Sequence, residues 1–594
     1  MDTDGIPSLA ALFFRQAARL GGKPFAWSKR DGAWRPVSWA EAARRAAALA
    51  KGLKALGVEP GDRVALVSES RPEWPIADIA IMAAGAITVP AYTTNGVGDH
   101  LHLLTDSGAK GVIVSTAALA EKVLPAAIRA PDLRFAVTMD EVKPPQTPDL
   151  TLHRWDETIA EAGDALAEAV QAAEAAARTD TACLIYTSGT GGTPKGVMLS
   201  HGAILSNCNG ARILLAELGL KDEVFLSFLP LSHAYEHMAG LFFPIAVGAQ
   251  IYYAEGVDKL SANMEEVRPT IMTAVPRLYE AMYERIRRGV SLAGGRKEAL
   301  FEKTVTLGSK RYEAPGSLTL GERLTDAALT LLVRRKVAKR FGGRLKAMVS
   351  GGAPLNYEVG LFFTALGVRL LQGYGQTESA PVISCNPPSR IKIEAVGPPL
   401  QDVEVRIAGD GEILARGELL MQGYWGNEAA TAETIRDGWL HTGDVGEFDE
   451  DGYLRITDRK KDIIVNSGGD NISPQRVEGL LTLQPEIGQA MVYGDKRPHL
   501  VALIAPDETF AAAFARERGV ETAALGSHDG FRQAIRDAIE RANAELSTIE
   551  RVRRFTLAEE PFTEDNDLLT PTLKIRRHLI REKYGAALEG LYGR

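Results

Sequence analysis

Cysteine is scarce in this chain. Three residues, Cys183, Cys208 and Cys385, are spread over 594, and none belongs to a C-x-x-C pair. Their spacing excludes a structural zinc site of paired cysteines and points to a reducing compartment, since a chain this long can build a core without disulfide staples. A basic leader is lacking too. Met1-Asp-Thr-Asp-Gly begins with acids, so no secretory signal is expected and the chain is placed in the cytoplasm. Net charge is modest: 68 Lys/Arg against 76 Asp/Glu give −8, and no nucleic acid partner is expected. Long unbroken hydrophobic runs are also missing. The uncharged stretches 79–97 and 237–254 are interrupted by Pro90 and by Pro244 and Gly248, at about half the length of a membrane span. Each is expected to be a buried helix feeding a strand.

What is present fits a large globular protein, 45% hydrophobic and 24% charged, with a mean hydropathy of −0.08. At roughly 100–200 residues per domain, the length calls for at least two. Up to residue 180 amphipathic helical patterns (39–56) alternate with short apolar strands (63–68, 111–115), the signature of a parallel sheet covered on both faces. The Ala/Glu-rich stretch 157–178 predicts one helix leading into a strand at 181–186, and further β/α units run to about Gly375. From Ile391 short strands are expected at 403–407, 417–421 and 451–456, separated by Asp-Gly and Gly-Asp turns, which make a small antiparallel β-subdomain. After Asp458 an α+β pattern follows, with strands near 489–493 and 500–505 and a helix over 531–546. The expected fold is therefore α/β: a large N-terminal region of β/α subdomains plus a β-subdomain (1–457), then a smaller mobile α+β domain (458–594). No internal repeat is visible. The stretch 284–346 carries 16 Lys/Arg against 6 Asp/Glu, a local excess of +10. A solvated helical face would explain it, and so would a surface for anionic lipid headgroups or ligand phosphates.

The strongest chemical signal is Tyr186-Thr-Ser-Gly-Thr-Gly-Gly-Thr-Pro-Lys195-Gly196, directly after a strand. Gly189, Gly191 and Gly192 let backbone N–H groups approach phosphate oxygens closely. Thr187, Ser188, Thr190 and Thr193 add hydroxyl donors, and Lys195 adds charge. The Walker A pattern does not fit, because Pro194 precedes the lysine and Gly196 follows it. Eleven residues in this order mark a nucleotide-phosphate loop.

This loop resembles the phosphate-binding signature of the adenylate-forming superfamily, which includes acyl-CoA synthetases, peptide-synthetase adenylation domains and beetle luciferases. Other segments resemble the family's motifs in the same order: Leu229-Pro-Leu-Ser-His233, Ser350-Gly-Gly-Ala-Pro354, Gln372-Gly-Tyr-Gly-Gln-Thr-Glu378, His441-Thr-Gly-Asp444, Asp458-Arg459-Lys-Lys461-Asp and Pro571-Thr-Leu-Lys574. Gly191 departs from the pattern, standing where the family usually has a second Thr. The resemblance implies ATP, CoA and a carboxylic acid as substrates and Mg²⁺ as cofactor.

Position by position, the resemblance puts Gly352, Ala353, Pro354, Gln372 and Gly373 along the adenine. Tyr374 offers an aromatic face, Gly375 close backbone approach, and Ile456 a further contact with the nucleotide. Thr377 can bond the α-phosphate. Glu378 suits Mg²⁺, a hard ion that binds through one or two carboxylates plus phosphates. Asp444 can accept from the ribose hydroxyls, and Arg459 can donate to the same sugar. His233 is placed beside the substrate carboxylate; His237 has no matching role. Lys574 would stabilise charge shared by the attacking carboxylate and the α-phosphate. The thiol of CoA must then reach the adenylate. The family achieves this by rotating the C-terminal domain about a hinge, here Asp458 to Lys461, which brings Ser467, Gly468 and Gly469 to the pantetheine.

Two features lean toward a long-chain fatty acid: the apolar run after His233, with Leu241, Phe242 and Phe243, and the long basic connection before Ser350, which resembles long-chain acyl-CoA synthetases. A basic face would let such an enzyme work peripherally on a membrane surface. A fatty acyl-AMP ligase serving a carrier protein shares most of these motifs and is the alternative. Oligomeric state is left open.

Overall fold

The computed structural model describes residues 1–142, 150–162, 164–187, 193–460, 462–468, 470–564, 566–570 and 575–593. Two eight-stranded sheets form its N-terminal part. In one, the strands Ile87–Ala91, Arg63–Val67, Gly111–Val114, Phe135–Thr138 and Thr151–Arg154 lie side by side in parallel. Thr181–Thr187 joins them in parallel and turns back into Lys195–Ser200, with Gly423–Tyr424 on the far edge. In the other, Gln250–Tyr253, Val224–Ser227, Ile271–Ala274, Ala347–Ser350 and Leu370–Gly375 run parallel. It is closed at one edge by the hairpin Pro24–Arg30/Ala33–Ser38 and at the other by the antiparallel Val382–Cys385. The interior strands are apolar on both faces, as expected where helices cover both sides.

Local chemistry sets the elements. Ser38 caps the helix Trp39–Ala55 by accepting from Glu41 N–H, and its buried alanines let it pack closely on Glu73–Ala83. At Gly52 the helix Trp155–Ala162 comes so near that a Cβ would stand 2.6 Å from Thr158 Cγ2. Both uncharged stretches behave as expected: Glu73–Ala83 feeds Ile87–Ala91, and a π-helical turn His237–Phe242 with the helix Phe243–Val247 feeds Gln250–Tyr253. Among the described residues no helix is long and apolar enough to cross a membrane.

Two expectations need correction. The stretch 157–178 is not one helix but two, Trp155–Ala162 and Leu166–Ala175. Just before the second helix Asp164 Oδ1 accepts from Leu166 N–H, a local bond that competes with continued helix. Residues 417–421 are not a strand. The strand is Glu412–Arg416, and the chain then turns to bury Leu419 and to send Met421 N–H to the Glu378 carbonyl.

The small antiparallel sheet holds Glu404–Ile407, Glu412–Arg416, Trp439–Phe448, Ile435–Arg436 and Leu454–Arg459, so it runs through Asp458 and Arg459. Beyond it a separate core forms around the strands Ile487–Tyr493, Leu500–Pro506 and Val552–Leu557, with Leu500–Pro506 in the middle. The helices Pro474–Leu481 and Asp529–Asn543 pack into one cluster and Arg577–Gly590 into another.

Candidate active site

A cavity of about 1660 Å³ opens where the carboxyl ends of the second large sheet, the small antiparallel sheet and the C-terminal core meet. This exceeds the roughly 300–1,000 Å³ of an ordinary single-ligand pocket, so it has room for a nucleotide and an acid together.

The strands Thr181–Thr187 and Lys195–Ser200 that flank the glycine-rich motif pair antiparallel. Thr187 pairs with Lys195, and these two with Thr193 line the cavity. Ser188, Gly189, Thr190, Gly191 and Gly192, between them, lie outside the described residues. Lys195 Nζ stands 4.9 Å from the Tyr424 ring centroid, and the Tyr424 hydroxyl donates to Glu378 Oε1 at 2.9 Å. Lys195 and Glu378 are thus tied through an aromatic ring that the motifs did not reveal. The only cue in the sequence was Gly423-Tyr424-Trp425 between turns, which any edge strand could have supplied. Burial, with the Glu378 charge, pushes the Tyr424 hydroxyl's pKa up and keeps it a donor.

Tyr374, Asp444 and Arg459 form one network. Tyr374 Oη donates to Asp444 Oδ2 at 2.7 Å, and Arg459 Nε donates to Asp444 Oδ1 at 3.0 Å. Asp444 and Arg459 are directly opposite on neighbouring strands, which is why an acid and a base fifteen residues apart meet. Burial opposes the Arg459 charge, but the carboxylates of Asp444 and Asp462 offset it and its pKa is raised. Each Asp444 oxygen keeps acceptor capacity beyond these bonds. Ile456 lines the cavity from the same strand as Arg459.

Gly352, Ala353, Pro354, Gln372 and Gly373, expected along the adenine, and Thr377, expected at the α-phosphate, all line the cavity. Gly352 sits at φ 84°, a backbone that favours glycine. Gln372 is held by the Ile393 carbonyl, which its amide reaches. Gly375 also has a reason inside the fold. A Cβ there would collide with the Pro381 carbonyl, so its close approach is to the protein's own chain, whereas Gly373 has ordinary contact distances.

His233 lines the cavity and caps a short turn by accepting from Tyr235 N–H at 3.2 Å through Nδ1. The two following residues do structural work that the motif did not show. Tyr235 Oη donates to the Val349 carbonyl at 2.9 Å, and its ring lies against Gly351. Glu236 is fully buried and accepts from Ser227 and Thr273, each at 2.6 Å; burial pushes its pKa up to about 7. His237 is buried against Trp74 and Phe242, with Nε2 2.9 Å from Asp78. Beyond His233 the wall is apolar: Ala211, Leu214, Leu215, Phe225, Phe243 and Leu400.

From the C-terminal core, Thr570 and Ile575 line the cavity on either side of 571–574, and Lys574 itself lies outside the described residues. Arg577 reaches Glu478 at 2.7 Å, both in the cavity wall. Asp458 lines the cavity; burial raises its pKa to about 6. Lys461 and Gly469 lie outside the described residues. Ser467 and Gly468 are exposed on the hairpin Ile464–Val465/Asn471–Ile472 and do not line the cavity; Asn466 Oδ1 closes that turn by accepting from Gly468 and Asp470 N–H. Among the described residues the C-terminal core presents Ser473, Arg476, Glu478, Thr570 and Ile575–Arg577 to the cavity, and not Ser467 or Gly468.

Among the described residues no three His, Cys, Asp or Glu side chains cluster to hold a metal. Glu378 lines the cavity beside the Thr187–Lys195 hairpin end, and among the described residues its carboxylate is engaged through Oε1, by the Tyr424 hydroxyl. That donor set fits a Mg²⁺ ion whose remaining ligands are phosphates and water.

The end of the Thr187–Lys195 hairpin, the Tyr374–Asp444–Arg459 network and an apolar wall thus meet around one cavity that is polar at one end and apolar at the other. The matching family models go further. "AMP-binding enzyme" matches residues 13–425, and "AMP-binding enzyme C-terminal domain" matches 461–594. The chain belongs to the AMP-binding enzyme family. It is 37% identical to the long-chain-fatty-acid–CoA ligase FadD15 of Mycobacterium bovis, over 95% of this chain and 93% of that one. It is 32% identical to the peroxisomal long chain acyl-CoA synthetase 7 of Arabidopsis thaliana, over 95% and 83%. The adenylation domain of a carboxylate reductase from Mycobacterium chelonae shares the fold with a TM-score of 0.74 at 22% identity, covering 100% of this chain and 92% of that one.

Proposed function

We propose that the chain is a long-chain fatty acid–CoA ligase. It activates the acid with ATP to an acyl-adenylate, releases pyrophosphate, and transfers the acyl group to CoA to give acyl-CoA and AMP. The observation that carries this reading is the single cavity in which the phosphate hairpin and the Tyr374–Asp444–Arg459 network adjoin an apolar wall beyond His233. Relatives named for this activity, at 30% identity or more over nearly the whole chain, support it.

In this mechanism the loop Thr187–Lys195 holds the phosphates, and Thr377 and Lys574 orient the α-phosphate toward the acid carboxylate beside His233. Glu378 would hold Mg²⁺, which when bound would supply positive charge to offset that of the phosphates. Asp444 and Arg459 hold the ribose. Residues 1–457 then act as the adenylation domain and 458–594 as the mobile one, with Asp458 and Lys461 as the hinge. Rotation about it withdraws Lys574 and brings Ser467, Gly468 and Gly469 to CoA. The enzyme works in the cytoplasm and draws acids from a membrane surface.

A coupled AMP-release assay over acids from acetate to oleate, with and without CoA, tests the reading. The expected result is best turnover on long-chain acids with CoA. Best activity on acetate or an aromatic acid would refute the chain length, and acyl transfer to a phosphopantetheinylated carrier protein but not to CoA would favour the acyl-AMP ligase.

A further inference from the structure

The helix Leu320–Leu329 wears its leucines on the outside. Leu320, Leu324, Ala327, Ala328 and Leu331 recur at i, i+4, i+7, i+8 and i+11, one stripe of a helix. Such a stripe normally faces a core. Here Leu320 is 79% exposed and Leu324 75%, and in the π-helical turn Thr330–Arg334 that continues the helix, Leu331 is 55% and Leu332 51% exposed.

This orientation is fixed by the other side of the helix. Leu329, Asp326 and Arg334 are buried, and Arg334 bonds Asp326 at 2.6 Å. Arg311 from the helix Gly295–Glu313 also reaches Asp326 at 2.7 Å, and Lys310 reaches Glu322 at 2.7 Å. Thr319 and Glu322 form a reciprocal cap at the start. The acids of this segment are thus consumed inward. Arg323, Arg335, Lys336 and Lys339 are exposed, and no ion pair among the described residues takes them. The outward side is apolar along its middle and cationic along its rim.

We propose that this face docks on an anionic phospholipid bilayer, with Leu320, Leu324, Leu331 and Leu332 in the headgroup–acyl boundary and Arg323, Arg335, Lys336 and Lys339 on lipid phosphates. An amphipathic helix with an exposed apolar stripe and a Lys/Arg rim has the properties of an interfacial helix. A second copy of this chain is the poorer occupant. A two-fold contact sets the same patch against itself and would oppose the cations of one copy to those of the other. The helix belongs to the basic region that begins in Pro276–Ala293, whose Glu280 lines the cavity. The docking face deepens the proposed function, in which long-chain acids come from a membrane, but its test uses binding alone.

The purified chain is sedimented with vesicles of phosphatidylglycerol and phosphatidylcholine in equal parts, and with vesicles of phosphatidylcholine only. The expected result is binding to the anionic vesicles, weakened at least about tenfold when Leu320→Ser, Leu324→Ser and Leu331→Ser are combined. Combined Arg335→Glu, Lys336→Glu and Lys339→Glu should weaken it similarly and remove its salt dependence. Both variants keep the wild-type melting temperature and AMP release with octanoate in free solution, since none of these side chains touches the cavity. The proposal is overturned if the wild type stays in the supernatant or if the leucine variant sediments as well as the wild type. It is equally overturned if the leucines prove to hold a dimer in light scattering that does not bind vesicles. Failure on fatty acids in the AMP-release assay would overturn the proposed function instead and leave vesicle binding unchanged.

Discussion

Replacing Asp444 by Asn tests the centre of the proposed nucleotide site. Asp444 is 5% exposed and receives one hydrogen bond from the Tyr374 hydroxyl and one from the Arg459 guanidinium. Asn is isosteric but keeps one acceptor oxygen, so it satisfies one donor and turns an amide N–H₂ toward the other. A charge-assisted hydrogen bond contributes about 1.5–3 kcal/mol. The Arg459 side chain is 37% exposed, so water screens part of the loss and the 3–5 kcal/mol of a fully buried broken pair does not apply. The expected cost is about 2 kcal/mol of stability, read as a drop of about 4 °C or less in Tm for a chain of this size. If Asp444 also holds the ribose hydroxyls, KM for ATP in ATP–pyrophosphate exchange rises about tenfold to a hundredfold, while Tyr374→Phe, which removes only one donor, has the smaller effect on both readouts. A lower Tm with unchanged KM for ATP would confine Asp444 to a structural role. No change in either would refute the reasoning altogether.

Tyr424→Phe removes the hydroxyl that engages Glu378 but keeps the ring under Lys195; it should leave ATP affinity within about threefold and shift the Mg²⁺ concentration giving half-maximal exchange. Glu236→Ala should destabilise by about 2–3 kcal/mol in denaturant unfolding, because it strands the Ser227 and Thr273 hydroxyls, whereas Glu236→Gln costs less. Its folded pKa, about 7 against an ordinary 4.5, means the native state holds a proton that the unfolded chain releases. Stability should therefore fall as pH rises from about 4.5 to about 7, and Glu236→Gln should flatten that slope. Lys574→Ala should lose about 10²–10³ in adenylation while CoA attack on supplied acyl-adenylate survives; equal loss in both half-reactions would sink the alternation of domains.

The sequence by itself determined the class of fold and the order of its motifs. Local chemistry was enough for these: glycines and hydroxyls in one loop, apolar runs of strand length, Asp-Gly turns between short strands. It missed the break at Asp164 and the turn at 417–421, because a propensity or a hydrophobic pattern does not say which carbonyl or which core a residue meets. Tertiary structure alone decided the partnerships. Tyr424 joins Lys195 to Glu378 only because strand 423–424 pairs with strand 195–200, and Asp444 meets Arg459 only through strand register. The two large sheets share an architecture that no sequence repeat announced, since layers of apolar strands can be written in many sequences. The leucines of 320–332 make the sharpest case. Their spacing reads as a core stripe, and only the buried Asp326–Arg334 pair shows that the helix is held by its polar side and faces its apolar side outward.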